Sequence, residues 1–428
     1  MKRIFQVIIF LLIVLFTAHA QRVCSSTDYK QQLLAADPSL KDVFKTIEKQ
    51  IVAANTKSAV TTALRDTTAN EIIYIPVVVH VLYKNSPENI SDAQVKSQFD
   101  VLNKDFRMMN ADKTNTPAAF KPFAADARIQ FCLAQVDPNG KKTNGIDRHY
   151  TEQAMFTTDD GMKLASQGGV AAWDSKRYLN LWVCRLNGRS LGYATPPGTA
   201  ADRDGVVLAY DVFGNTGNLR AVFNKGRTAT HEIGHWLGLI HLWGDATCGD
   251  DHVDDTPTQQ SYNFDCPIFP KTSSCSPNAN GDMFMNFMDF ADDACMNMFT
   301  KGQVARMRAL FAQNNIRNSF LASFACDSTL VQGGPVPSTD GVPPATTTLA
   351  STRLYPNPVH TSVTIECKAA TATNLKTLAI FNSLGMRVFT SKLIQNKTIL
   401  DLSHLTPGIY FVSISDGKDK FVTKIIKQ

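Results

Sequence analysis

His231-Glu232-Ile233-Gly234-His235-Trp236-Leu237-Gly238-Leu239-Ile240-His241 is the stretch on which the reading of this 428-residue chain turns. On an α-helix, His231 and His235 lie one turn apart and project from one face, so two imidazoles can converge on one tetrahedral cation. Glu232 sits about a quarter-turn round the helix, off the ligand face and placed to take a proton from a bound water. Gly238 lets the chain leave the helix sharply and brings His241 back as a third ligand. Three protein ligands leave a fourth position open, which is the arrangement of a catalytic rather than a structural zinc site. The competing reading is an amphipathic core helix with satisfied histidines. With nine histidines in the chain, the five-residue pattern arises by chance in on the order of one chain in 100,000. Thr228 or Thr230 is available to cap the start of the helix.

Upstream, Ile72 to Tyr83 reads IIYIPVVVHVLY, a continuous apolar and β-branched run expected in the interior of a sheet. Ser91 is read as a helix N-cap with Gln94 as its capping-box partner. Further strands are expected at Ile129 to Val136, Tyr178 to Leu186 and Gly205 to Tyr210. Leu191-Gly192-Tyr193-Ala194, closed by Pro196-Pro197-Gly198, reads as a short edge strand that could hold a substrate by antiparallel pairing. The segment from Gln21 to about Asn70 is polar and helix-prone, with Leu40, Val43, Phe44 and Ile47 at helical spacing and no evident core of its own.

The eleven-residue stretch matches the extended zinc-binding motif of the metzincins. Its surroundings, HLWGDATCGDDHVDDTP and MNFMDFADDACMNMFTKGQVARM, resemble the pappalysin family (peptidase family M43) of cytophagalysin-like type, over roughly Glu71 to Cys326. The resemblance implies an α+β fold: a mixed twisted sheet with two long helices above, and an irregular, disulfide-stapled lower subdomain after Gly238. It implies Zn2+ on His231, His235 and His241, Glu232 as general base and acid, and a Met-turn at Met288, whose side chain would floor the ligand imidazoles. Many relatives carry a Tyr two residues after that Met. Phe290 stands there in this chain and cannot donate to a developing oxyanion.

Asp245, Asp250, Asp251, Asp254 and Asp255 crowd into eleven residues. Carboxylates at that density call for a cation such as Ca2+, with Asp250, Asp251, Asp254 and Asp255 as candidate ligands, or else for full solvation. Cys248, Cys266, Cys275 and Cys295 fall in the same irregular region, and the sequence alone allows three pairings. The resemblance implies Cys248 with Cys275 and Cys266 with Cys295. Cys132 and Cys184 lie in expected strands, as buried thiols or as a bridge.

The ends describe export. Lys2 and Arg3, an apolar run from Val7 to Phe16, and Ala18-His19-Ala20 form a signal peptide over residues 1–20, too short to anchor as a membrane span. Residues 21–69 follow as a propeptide, cleaved near Arg65, and 70–330 as the catalytic domain. Cys24 is a candidate switch, since a thiolate from the propeptide could occupy the open zinc position; with nine cysteines, a disulfide partner is the alternative. Residues 331–352 read as a Pro-, Gly- and Thr-rich linker. Residues 353–428 form a small all-β sandwich that resembles the C-terminal sorting domain of the type IX secretion system of Bacteroidota, a spacer or carbohydrate-binding sandwich being the competing reading.

A net charge of +5, scattered along the chain, gives no footprint for nucleic acid. No later stretch approaches the length of a membrane span. The expected function is a secreted or cell-surface zinc metalloendopeptidase acting on proteins or peptides, carried out through the periplasm by secretion machinery that reads the C-terminal domain. The alternative is an exported surface-binding or adhesive protein with a zinc-stabilised, catalytically weak metzincin fold. Glu232 argues against it, because a structural site needs no base.

Overall fold

The computed structural model describes residues 23–61, 72–276, 280–323, 325–326, 352–367, 376–382, 387–393, 395–406, 408–415 and 420–428. The signal peptide, the cleavage site near Arg65 and most of the linker lie outside them. The chain begins with α1 (Ser26–Ala36) and α2 (Leu40–Thr61), followed by β1 (Ile73–Tyr83), α3 (Asp92–Asp105), β2 (Ile129–Leu133) and β3 (Ile146–Tyr150). Next come β4 (Leu179–Cys184), β5 (Gly192–Ala194), β6 (Val206–Ala209), α4 (Arg227–Trp236) and α5 (Lys301–Ala309).

β1 organises a mixed sheet. β2 and then β3 pair parallel along one of its edges, from Ile73↔Ile129 to Tyr83↔Tyr150, and β4 pairs parallel along the other. β6 continues the sheet, and β5 closes it antiparallel as an edge strand. The unbroken apolar run of β1 follows from burial on both faces. Val77, Val79 and Val81 join Ile233 and Trp236 of α4 in the main core, whereas Leu82 joins Trp182 and Tyr193 on the opposite face. β3 was not expected. Its sequence, IDRHY, is polar and only half buried, and it is strand because β1 offers it an edge.

Two helix starts differ from expectation. Ser91 does accept from the Gln94 N–H at 3.1 Å, but the Gln94 amide donates instead to the carbonyls of Tyr210 and Phe213. Thr228 and Thr230 lie inside α4, whose N-cap is Gly226 at φ 75°. The cap is supplied from a distance: Asp293 Oδ2 accepts from the Lys225 N–H at 2.8 Å and the Arg227 N–H at 3.2 Å.

The N-terminal helices share cores with the rest of the protein. Ile47 and Ile51 enter the main cluster, and Tyr29 enters the cluster on the far face of the sheet. At the C-terminus, β7 (Arg353–Tyr355), β8 (Ser362–Glu366), β9 (Lys376–Asn382), β10 (Arg387–Leu393), β11 (Lys397–Asp401), β12 (Gly408–Ser415) and β13 (Lys420–Lys427) form two antiparallel sheets. They close round a core of their own that includes Val363, Ile380 and Val412. Among the described residues no helix is long and apolar enough to cross a membrane.

Candidate metal centre

α4 ends as Gly238 requires. At φ 83°, Gly238 donates its N–H to the His235 carbonyl at 2.9 Å, and Leu239 donates to the Gly234 carbonyl at 3.0 Å. This paired arrangement is a Schellman turn, which satisfies the last carbonyls while swinging the chain off the helix axis. His241 thereby returns to the face that carries His231 and His235. Their Nε2 atoms lie 3.1 Å (His231–His235), 3.0 Å (His235–His241) and 3.3 Å (His231–His241) apart.

Each ring is oriented through its other nitrogen. Nδ1 lies 2.7 Å from the Phe287 carbonyl in His231, 2.9 Å from the Leu239 carbonyl in His235, and 2.5 Å from Asp245 Oδ1 in His241. With acceptors at all three Nδ1 atoms, the protons belong there and three Nε2 lone pairs face one another. Buried lone pairs at such separations repel unless a cation lies between them. Ligands about 2.0–2.1 Å from a tetrahedral zinc would stand roughly 3.3 Å apart, so the residues fit that ion. Burial pushes His235 down to about 3, keeping its imidazole neutral near pH 7. Burial alone would raise the Asp245 carboxyl, but its hydrogen bond with His241 outweighs it and holds it near 2.

Met288 is fully buried beneath α4, and a Cβ on Gly234 would come 2.5 Å from its Sδ. Glycine at that position is what lets the Met-turn approach. The turn is pinned by a reciprocal amide pair between Asn286 and Gln303, at 2.8 and 3.0 Å, and Gln303 also completes the capping box of α5 with Thr300. Phe290 packs edge-on to His241 with ring centroids 4.9 Å apart, Trp243 stacks on His241 at 4.4 Å, and Trp243 and Phe290 touch each other at 4.9 Å.

The amino-terminal segment lies in the cleft. Ser25 donates to the Gly192 carbonyl and Leu191 to the Val23 carbonyl, each at 3.0 Å, so Cys24 runs parallel to the edge strand β5. Its Sγ and the three histidine nitrogens all lie within 4.8 Å of one another. Cys24 is a free thiol, pushed well up by burial and then by the Glu232 charge. Its Sγ donates to Glu232 Oε2 at 3.4 Å, and Ser26 Oγ donates to the same oxygen at 2.9 Å while accepting from the Ala194 N–H at 2.9 Å. Thr27 Oγ1 donates to Asp245 Oδ1 at 2.8 Å. Ser26, Thr27 and Asp245 were missed as parts of the site; the four-residue spacing from His241 to Asp245 was the one available signal.

The acidic loop, read as a calcium site or a solvated loop, spreads its carboxylates over several partners. Among the described residues, the side chains that gather as metal ligands are Cys24, His231, His235 and His241, and the four acidic candidates do not converge. Asp255 accepts from Thr300 Oγ1 and the Gly302 N–H at the start of α5. Asp251, raised to about 7 by burial, accepts from Thr256 Oγ1 and the Val253 N–H. Asp250 and Asp254 are exposed. Disulfides join Cys248 to Cys275, Cys266 to Cys295 and Cys132 to Cys326, while Cys184 is a buried free thiol.

Comparison with known proteins gives two family matches. Residues 165–312 match peptidase M43, described as pregnancy-associated plasma protein-A, and residues 353–428 match the secretion system C-terminal sorting domain. An extracellular metalloprotease of Podospora anserina is 30% identical over 67% of this chain and 88% of its own length. One from Pyricularia oryzae is 34% identical over 56% and 75%. Mature mirolysin of Tannerella forsythia, solved with a cleaved peptide, is 53% identical, with a TM-score of 0.58 over 59% of this chain and 96% of that one. A promirolysin mutant from the same organism is 47% identical, with a TM-score of 0.64 over 70% and 97%.

Proposed function

The chain belongs to the peptidase M43 family and is a secreted or surface protease with a C-terminal sorting domain; from that premise we propose that it is a zinc-dependent endopeptidase working through His231, His235, His241 and Glu232. The observation that carries this reading is the convergence of three Nε2 lone pairs beside a buried glutamate. Zinc bound there supplies Lewis acidity, polarising the scissile carbonyl and making water acidic enough to attack at neutral pH. Glu232 takes the proton of the attacking water and returns it to the leaving amine. β5 presents its free edge to an extended substrate, which pairs antiparallel to it. The adhesive alternative draws no support from the relatives, which are named as proteases.

We further propose the division into a pro-segment (21–69), a catalytic domain (70–330), a linker (331–352) and a sorting sandwich (353–428) read by secretion machinery. In this scheme Cys24 keeps the proform latent by taking the fourth ligand position. The parallel course of Val23–Ser25 along β5 supports it, because a chain running opposite to substrate does not present its peptide bond for attack. The longer coverage by promirolysin than by the mature form, 70% against 59% of this chain, also fits a removable segment.

The test uses the processed protein and a denatured protein substrate. Cleavage should stop with a chelator and return with zinc, and Glu232→Ala should lose cleavage while retaining about one zinc ion. Undiminished cleavage by Glu232→Ala would falsify the assignment of the base.

A further inference from the structure

Tyr29 of the pro-segment is 2% exposed, although its helix lies on the surface of the molecule. Its ring packs against Tyr193 of β5, with centroids 4.7 Å apart, and Lys163 Nζ lies 5.2 Å from its centre. Its hydroxyl donates to Asp160 Oδ2 at 2.6 Å. Asp160 also accepts from the Tyr193 hydroxyl at 3.0 Å and pairs with the fully buried Lys163 at 2.8 Å, with Arg203 3.5 Å away. Lys163 in turn lies 5.1 Å from the ring centre of Trp182. Every member of this slot except Tyr29 belongs to the part of the chain assigned to the catalytic domain. Removing the pro-segment therefore opens a cavity with aromatic walls and a carboxylate floor.

The slot lies where an extended substrate can reach it. Tyr193 belongs to the edge strand, and its side chain faces away from α4, in the cluster with Trp182 and Val207. A strand added to β5 sends alternate side chains to that face. Cys24 pairs with Gly192 beside the histidines, so Gly192 marks the level of the reacting centre. Tyr193 is the next residue along β5, in the direction that an antiparallel substrate occupies before its scissile bond.

We propose that the slot vacated by Tyr29 is a substrate subsite that selects a tyrosine side chain within the first few residues before the scissile bond. The proposal rests on the protease reading and on removal of the pro-segment. A phenol fills the aromatic walls and restores the bond to Asp160. Phenylalanine fills the walls but makes no bond to the carboxylate, and alanine does neither. The same slot explains why Tyr29 anchors the pro-segment: it holds the place of a substrate side chain.

The test is a set of peptides with one scissile bond, in which each of the first four preceding positions carries Tyr, Phe, Leu or Ala. At one position the processed protein should favour Tyr over Phe by about tenfold and over Ala by about a hundredfold in kcat/KM, the scale of one charge-assisted bond plus a buried ring. The Tyr/Phe ratio is internal to one enzyme preparation, so it does not depend on how much protein is folded. Asp160→Asn should bring it towards one. A flat profile at all four positions would overturn the subsite, as would an unchanged ratio in Asp160→Asn. Should that variant not fold, synthetic 23–36 peptides with Cys24→Ser provide a second reading on the unaltered protein. Their inhibition should weaken from Tyr29 to Tyr29→Phe to Tyr29→Ala, and equal inhibition by all three would also overturn it. Failure to cleave any peptide, with zinc present, would remove the protease reading and the subsite with it, whereas cleavage without preference removes the subsite alone.

Discussion

The metal cradle and the pro-segment that covers it are held by different kinds of contact. His231 and His235 are oriented by main-chain carbonyls, the exit from α4 is a main-chain turn, and Met288 reaches Gly234 from a turn locked by the Asn286–Gln303 pair. The pro-segment is held mainly by side chains set well apart: Cys24 and Ser26 on Glu232, Tyr29 on Asp160, and Glu48 on Arg306. Main-chain partners persist whatever leaves the cleft. Side-chain partners can be undone one at a time, by cleavage, competition or protonation. The cradle leans more on main-chain contacts than the segment does, with Asp245 on His241 as its side-chain exception and the Val23 and Ser25 main-chain bonds as the segment's.

The largest expected effect breaks the cradle itself. His235→Ala removes a ligand that no neighbour can replace, so both zinc and cleavage should be lost. Asp245→Ala leaves all three ligands and removes the orienting partner of His241, along with the acceptor of Thr27 Oγ1, which in the processed protein should weaken zinc affinity by roughly 10–100-fold. Metal content after dialysis at graded zinc concentrations distinguishes the two. Equal retention by His235→Ala and the parent would mean that the histidines do not hold the ion.

Breaking the latch should leave catalysis intact and alter only its onset. Cys24→Ser proform should become active sooner than the parent. Ser26→Ala should do so to a smaller degree, because Ser26 occupies Glu232 but offers no strong ligand to the metal. The lag before cleavage of a reporter peptide measures both. An identical lag in all three proteins would dismiss the contacts in the cleft as the cause of latency.

The same contrast governs what could be read from the sequence. The histidine stretch drew the eye because His231 and His235 stand one helical turn apart and Gly238 and His241 follow within eleven residues, and the apolar run of β1 because burial on two faces leaves an unmistakable composition. The cap of α4 did not, because Asp293 reaches it across 66 positions. Tyr29 and Asp160 stand 131 residues apart, and neither is marked by its neighbours. β3 escaped notice because a polar strand is defined only by the partner that carries it. In the acidic loop charge density suggested a cation or full solvation, and Asp251 and Asp255 accept from nearby N–H and hydroxyl groups.

A smaller effect should come from pH. Burial alone would raise the Glu48 carboxyl, but hydrogen bonds and charge from Arg306, with smaller help from His252 and Lys30, outweigh it and hold it below its ordinary value of 4.5. A depressed carboxyl contributes its full stabilisation above that ordinary value and loses it as pH falls through the lowered one. Docking of the pro-segment should therefore weaken in acid. Glu48→Gln should show weaker docking at neutral pH and a shallower acid dependence than the parent, with release of the segment as the readout. Parallel pH profiles would show that the Arg306 pair is not a hold on the segment.

The mildest test strikes the cradle without touching its chemistry. Asp293 is fully buried and accepts from the N–H groups of Lys225 and Arg227 at the start of α4, where no side chain of the helix itself serves as a cap. Asp293→Ala leaves those donors without that acceptor, at a cost of roughly 1–3 kcal/mol. For a domain of this size that corresponds to a fall in melting temperature on the order of 2–4 °C per kcal/mol. Asp293→Asn keeps an oxygen acceptor and should lose less. Because the histidines are oriented from the other end of α4 and from the Met-turn, zinc content and kcat should change little at temperatures well below melting. A stability loss with kcat preserved would show that the cradle tolerates a weakened support. A fall in kcat matching the loss of stability would instead mean that the ligand geometry depends on the whole helix, narrowing the difference between cradle and latch.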